Sequence, residues 1–312
     1  MVRTVFKRRP EISIRKSENT SIARALGMSR ETVNIYFLDI QRIMTEHNFY
    51  DKPGHIFNTD ETGLQLNTRA GQVLAEQGSK CVPSLSPGKK GETISVMACC
   101  SAEGTFIPPY YIFKGKNKKE DWHEGMPPGS TIRMSEKSAY VNSEIFLEWL
   151  RTHFLPRKPS GKTLLIVDGH TSHTTNLDLL EFAEQNDIIL FCLPSHTTHY
   201  LQPLDRAFFK SLKSNFYAEC RFMIQNNPNR VLNRLQFGKL LGRAWGNSAT
   251  VQNAASAFKS TGIYPFDPLI IPEYAFLTQT PLESPETETL QTVQTDTLSV
   301  RAESSQPGPS GI

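Results

Sequence analysis

Two periods alternate along the chain. Between residues 20 and 47, Ile22, Leu26, Val33, Phe37, Ile40 and Met44 recur at helical spacing, as one apolar stripe requires. The stretch GMSRET (27–32) reads as a turn, then an N-cap at Ser29 and an acidic first turn. Residues 1–50 are therefore expected to be helical. The pattern suits the two joined helices of a small DNA-binding unit as well as it suits any helical hairpin.

From residue 55 the period shortens. HIFNTD (55–60) predicts a short strand. ETISVMACCSAEGTFIPPYYIFKG (92–115) predicts two strands joined by a turn at Ala102-Glu103-Gly104. SEIFLEWLRTHF (143–154) is an amphipathic helix. TLLIVDGH (163–170) and IILFCLP (188–194) are apolar on both faces, as buried central strands are. Asn176 to Gln185 reads as the crossover helix between them. Residues 205–223 predict a long helix, and 236–260 is largely helical again. A meander followed by strands alternating with helices implies a mixed sheet covered by helices, spanning 55–275. Residues 278–312 hold five acidic residues, one basic residue and no aromatic. Too little apolar surface is present there to drive folding, so a disordered acidic tail is expected.

Composition narrows this picture. A formal net charge of +3 over 312 residues is too mild to mark a nucleic-acid binder. Its placement says more: Arg3 to Lys16 is basic, and KGKNKK (114–119) forms a second cluster. Lys114, Lys116, Lys118 and Lys119 are candidate phosphate contacts, although a solvated loop explains such a cluster equally simply. The five cysteines are odd in number and contain no CxxC pair, which argues against a disulfide framework or a cysteine zinc site. No apolar leader follows Met1, and no run approaches 18 apolar residues. The expectation is an intracellular protein of a reducing compartment with no membrane partner.

The candidate chemistry lies in three aspartates. Asp60 ends one apolar segment before Glu61-Thr62-Gly63, and Asp168 ends another before Gly169. Ligands in open sheets sit at the carboxyl ends of neighbouring strands. Asp205 follows the 188–193 strand after a loop and starts a helix, where capping is the simpler explanation. No Lys or Arg lies immediately beside Asp60 or Asp168 in the sequence to neutralise them. If the three converge, their repulsion calls for a divalent cation, and carboxylate oxygens suit Mg²⁺ or Mn²⁺ better than zinc. Glu61 is adjacent to Asp60, but on a strand it points to the opposite face and is not counted as a ligand. His170 with His173, and His196 with His199, form two HxxH pairs in loops. They are read as loop hydrogen-bonders or contacts to DNA phosphate rather than zinc ligands, which usually come from helices or knuckles.

Four stretches, in order, carry a resemblance: NTDETG (58–63), LLIVDGHTSH (164–173), LPSHTTHYLQPLDRAFFKSLK (193–213) and AFKSTGIYPFDP (257–268). Residues from about 55 to 270 resemble the nuclease domain of DDE-type transposases, in the pogo, Tigger and jerky branch of the mariner superfamily. The step of 37 positions from Asp168 to Asp205 is the short second interval of that branch. The resemblance implies an RNase H-like α/β fold: a mixed five-stranded sheet flanked by helices, with Asp60 on the first strand, Asp168 on the fourth and Asp205 by the helix after the fifth. It implies metal and catalytic roles for these three, two Mg²⁺ or Mn²⁺ ions, and cleavage and joining of double-stranded DNA without a covalent protein intermediate. A nuclear location and a homo-oligomer on DNA are implied as well. The first fifty residues resemble the stretch that links a centromere protein B-type helix-turn-helix region to the nuclease, and that full two-part region is expected to be missing here. Two alternatives stay open on sequence: a catalytically silent descendant that binds DNA or chromatin, and a nuclease acting on RNA.

Overall fold

Each face of the sheet is sealed by its own set of apolar side chains. The structure is a computed structural model, and it describes residues 24, 27–66, 77, 91–169, 176–226 and 232–279. Six strands run β1 Ile56–Gln65, β2 Thr93–Ser101, β3 Phe106–Lys114, β4 Thr131–Ser135, β5 Thr163–Val167 and β6 Ile188–Cys192. Their order across the sheet is β4-β3-β2-β1-β5-β6. β1, β2 and β3 form an antiparallel meander, while β5 lies parallel to β1 and β6 parallel to β5. The expected mixed five-stranded sheet is present as β3-β2-β1-β5-β6, within a sheet of six. The sixth strand, β4, adds to the outer edge of β3 in parallel. Only Ile132 in TIRMS is deeply buried, so its sequence carries almost no strand signal.

Alternation along β1 and β5 divides the core. Ile56, Leu64, Leu164 and Ile166 face one side, with helices α1 (Arg30–Glu46), α5 (Phe209–Asn226), α6 (Arg234–Ser248) and α7 (Val251–Ser260). Phe57, Leu165 and Val167 face the other side, with α2 (Ser143–Trp149) and α3 (Leu177–Gln185). A further helix among the described residues is the single turn α4 (Thr198–Leu201). Ser29 caps α1 by accepting from the Thr32 N–H, as the sequence predicts. Val33, Phe37, Ile40 and Met44 are buried in the same core as the sheet. Ile22 lies outside the described residues, as do 280–312, where most of the expected tail falls.

Three expectations are corrected in detail. Among the described residues β6 is an edge strand rather than a central one, since it pairs there only with β5. Its apolar run reflects cover on both faces: Phe191 packs against Tyr36 of α1 at 5.7 Å, and Leu190 packs into the opposite cluster. The helix at 143–154 is α-helical only to Trp149 and continues as a π-turn, Leu150–Phe154. The helical region at 236–260 is two helices, broken at Ala249-Thr250, where the Thr250 hydroxyl caps α7.

Candidate active site

The pairing of β1 with β5 sets Asn58 opposite Ile166. Continued two places, that register brings Asp60 level with Asp168, on strands about 4.8 Å apart. Side chains two positions apart share a face. Asp60 therefore lies on the side of Ile56 and Leu64, the side covered by α5. β1 continues to pair with β2 as far as Gln65, but its pairing with β5 stops at Asn58. The sheet opens between the two strands just where both aspartates stand. Glu61 points the other way, and its Oε2 accepts from the Val141 N–H at 3.0 Å.

Asp168 is followed by Gly169 for a steric reason. A Cβ there would strike the Leu193 carbonyl oxygen of the next strand end. The Leu193 N–H meanwhile donates to the Val167 carbonyl at 3.0 Å, which holds the two ends together. Gly169→Ala is expected to push Asp168 away from the Leu193 carbonyl and to lower the unfolding temperature, which thermal unfolding of the variant beside the wild type would check.

Asp205 reaches the same crevice from a buried loop. Thr197, Leu201, Gln202 and Leu204 are all fully buried between β6 and the next helix. Asp205 sits in a π-turn, Leu204–Phe208, that leads into α5. Such turns are rare and recur at functional sites. Phe208 anchors this one, with its ring 4.8 Å from Phe106 and 5.3 Å from Trp245. The Leu204 N–H leaves the helical ladder and donates to Asn58 Oδ1 at 3.1 Å.

Electrostatics ties the three together. Loss of hydration by burial, then the negative charges of Asp205 and Asp168, push the Asp60 carboxyl well above the usual carboxylate range. The Glu61 N–H, which donates to Asp60 Oδ1 at 2.8 Å, pulls the other way. Asp205 is open to solvent on one side. It is raised too, by partial loss of hydration first and by Asp168, against the pull of Lys213 and Arg24. Among the described residues, no three His, Cys, Asp or Glu side chains are grouped closely enough to hold a metal ion. The donor set is nonetheless all carboxylate oxygen with excess negative charge, which fits a hard divalent cation.

The other expected site residues are spread out. Lys114 ends β3, two strands or about 10 Å sideways from β1. By alternation it shares the face of Ile112, opposite that of Asp60. Its backbone carbonyl accepts from Arg234 at 2.6 Å. Lys116 pairs with Glu136 at 3.6 Å, and Lys118 and Lys119 are exposed. His196 is exposed in the αL region, with φ 65°. His199 meets Tyr200 edge-on, with ring centroids 4.8 Å apart. Burial, followed by Arg24 and Arg206, lowers its pKa and favours the neutral ring. His170 and His173 lie outside the described residues. Sequence reasoning overlooked Asn58 and Gln202, both buried beside the triad, and the pull of Arg24 and Lys213 on Asp205. Strand alternation alone would have placed Asn58 on the face of Asp60.

The family model for the DDE superfamily endonuclease matches residues 91–258. The chain belongs to this family. Asp168 and Asp205 fall within the match, and Asp60 precedes it. The chain is 31% identical, over 74% of its length, to a protein of Cochliobolus lunatus named MFS-type transporter clz9. It is 26% identical, over 52% of its length, to the human pogo transposable element with KRAB domain. In each case it spans 26% of the relative. Among the described residues of this DDE superfamily chain, no helix is long and apolar enough to cross a membrane. A structure of Mos1 transposase in a paired-end complex with the left transposon end is similar at 12% identity and TM-score 0.46, covering 79% of this chain and 69% of that one.

Proposed function

We propose that this transposase-like DDE superfamily domain cleaves DNA phosphodiesters at Asp60, Asp168 and Asp205, and joins the freed 3′ end to a second duplex. The observation that carries this is the β1–β5 register, which levels Asp60 with Asp168 where the sheet opens, with Asp205's charge felt there as well. The three carboxylates would hold Mg²⁺ or Mn²⁺, in the fullest form two ions, which supply Lewis acidity and neutralise negative charge when bound. Asp60 stands on β1 and Asp168 one residue past the end of β5, while Asp205 arrives on a turn pinned by Phe208. The chain's contribution is thus to hold three like charges against their own repulsion in a poorly hydrated crevice. Its place of action in this reading is the nucleus, on double-stranded DNA, as a homo-oligomer when bound.

The test is nicking of supercoiled plasmid by the purified chain in Mn²⁺. Failure to nick, with a folded chain and DNA binding intact, would sink the catalytic reading and favour a silent DNA-binding one. The lysines at the end of β3 make a separate prediction. Replacing Lys118 and Lys119 with Ala should flatten the plot of log affinity for DNA against log salt, by about one unit for each phosphate they neutralise. An unchanged slope would remove them from the DNA path.

A further inference from the structure

We propose that Asn58 and Gln202 form an amide clamp that fixes the Asp205 turn against β1 and β5, and so sets how closely the three carboxylates gather around a divalent cation. The proposal rests on the reading of these aspartates as an ion site and names what positions them.

Asn58 lies two residues before Asp60 and is fully buried. Its Nδ2 donates to the carbonyl of Ile166, two residues before Asp168, at 3.0 Å. The same nitrogen donates to Gln202 Oε1 at 2.5 Å. Its Oδ1 accepts from the N–H of Leu204, the residue before Asp205, at 3.1 Å. One side chain thus joins the three segments that carry the triad.

The orientation of this network is forced. The Leu204 N–H can only donate and the Ile166 carbonyl can only accept, so Asn58 has one possible rotation of its amide. Gln202 must then present its oxygen to Asn58. That leaves Gln202 Nε2 buried with no hydrogen-bond partner. A buried donor without an acceptor is destabilising. A leucine or methionine at position 202 would remove that orphan but would take the acceptor from one buried Asn58 N–H. The two amides therefore act as a pair, and what the pair ties together is β1, β5 and the Asp205 turn. Partners that bond a metal ligand directly change metal affinity by about 10- to 100-fold when removed, and this pair acts one step further out, through the backbone beside each aspartate.

The experiment compares the full chain with Gln202→Met and Asn58→Ser, using Asp168→Asn as the ion-site control. Free Mn²⁺ is titrated by electron paramagnetic resonance, hydrogen exchange of the Leu204 amide is followed by NMR without metal, and thermal unfolding is recorded. Gln202→Met trades the orphaned Gln202 donor for one orphaned Asn58 N–H and should unfold near the wild-type temperature. It should also bind Mn²⁺ roughly tenfold more weakly and exchange Leu204 faster. Asn58→Ser cuts the same network from the other side and should weaken Mn²⁺ binding at least as much. Wild-type Mn²⁺ affinity in either folded variant, with Asp168→Asn impaired, would overturn the clamp alone. If the wild type binds no Mn²⁺, or Asp168→Asn binds it equally well, the ion site falls and the clamp's role with it.

Discussion

Asp168→Asn is expected to abolish Mn²⁺-dependent nicking while the chain unfolds at an unchanged or slightly higher temperature. The change is nearly isosteric. Asp168 is half-buried just beyond β5, and the strand itself is held by Thr163 to Val167, all buried. The backbone bond from Leu193 to Val167 does not involve the side chain. The substitution removes one negative charge from a crevice whose other carboxyls already feel it. Charge stabilisation of a phosphodiester transition state by a bound cation is worth several kcal/mol. A loss of about 4 kcal/mol corresponds to roughly a thousandfold in rate. Nicking that persists above a tenth of the wild-type rate, with the same metal dependence, would take Asp168 out of the site.

Asp60→Asn should make the metal-free chain more stable and remove its response to Mn²⁺. The direction follows from linkage. Asp60 binds its proton more tightly folded than unfolded, because burial and two neighbouring charges disfavour the anion. The native state then carries more protons than the unfolded one, between the ordinary carboxylate value of about 3.9 and the raised one. Across that window stability falls as pH rises, and above it the cost is constant. Below about pH 3.9 Asp60 is protonated in both states and the penalty vanishes. Wild type and Asp60→Asn should therefore unfold alike at low pH and diverge as pH rises, the variant ending higher. Near neutral pH the expected gain is about 1 kcal/mol, or roughly 2–4 °C in Tm. Mn²⁺ at a hundred times its Kd should return about 2.7 kcal/mol to the wild type and far less to the variant. A variant less stable than wild type at every pH would mean that Asp60 is a structural residue.

Much of the site could be read from the chain, for reasons that differ by residue. Asp60 and Asp168 stood out because each closes an apolar run, a local pattern; Asp168 does follow the end of β5, whereas the strand expected to stop at Asp60 continues to Gln65 in its pairing with β2. Glu61 could be set aside because alternation is geometric, and its bond to the Val141 N–H agrees. Asp205 had no such local signature. A helix cap would look the same, and only the order of the four matching stretches singled it out. The lysines at 114–119 form a cluster in sequence, yet Lys114 lies two strands from Asp60 and on the opposite face.

The chain's own pattern determined which residues are apolar and which faces they form, since these depend on neighbours within a few positions. It determined the helix start at Ser29 in the same way, whereas the end of β1 and the need for a glycine after Asp168 depend on β2 and on the Leu193 carbonyl. Only the tertiary structure decided that β6 is an edge, that TIRMS pairs with β3 as a sixth strand, and that Asn58 bonds to residues 108 and 146 positions away. Those outcomes rest on hydrogen bonds between distant segments, whose partners are set by register and cover rather than by composition. The action of the Asp205 and Asp168 charges on Asp60 is of this second kind, because the three residues lie on segments that only the sheet and the turn before α5 bring near one another.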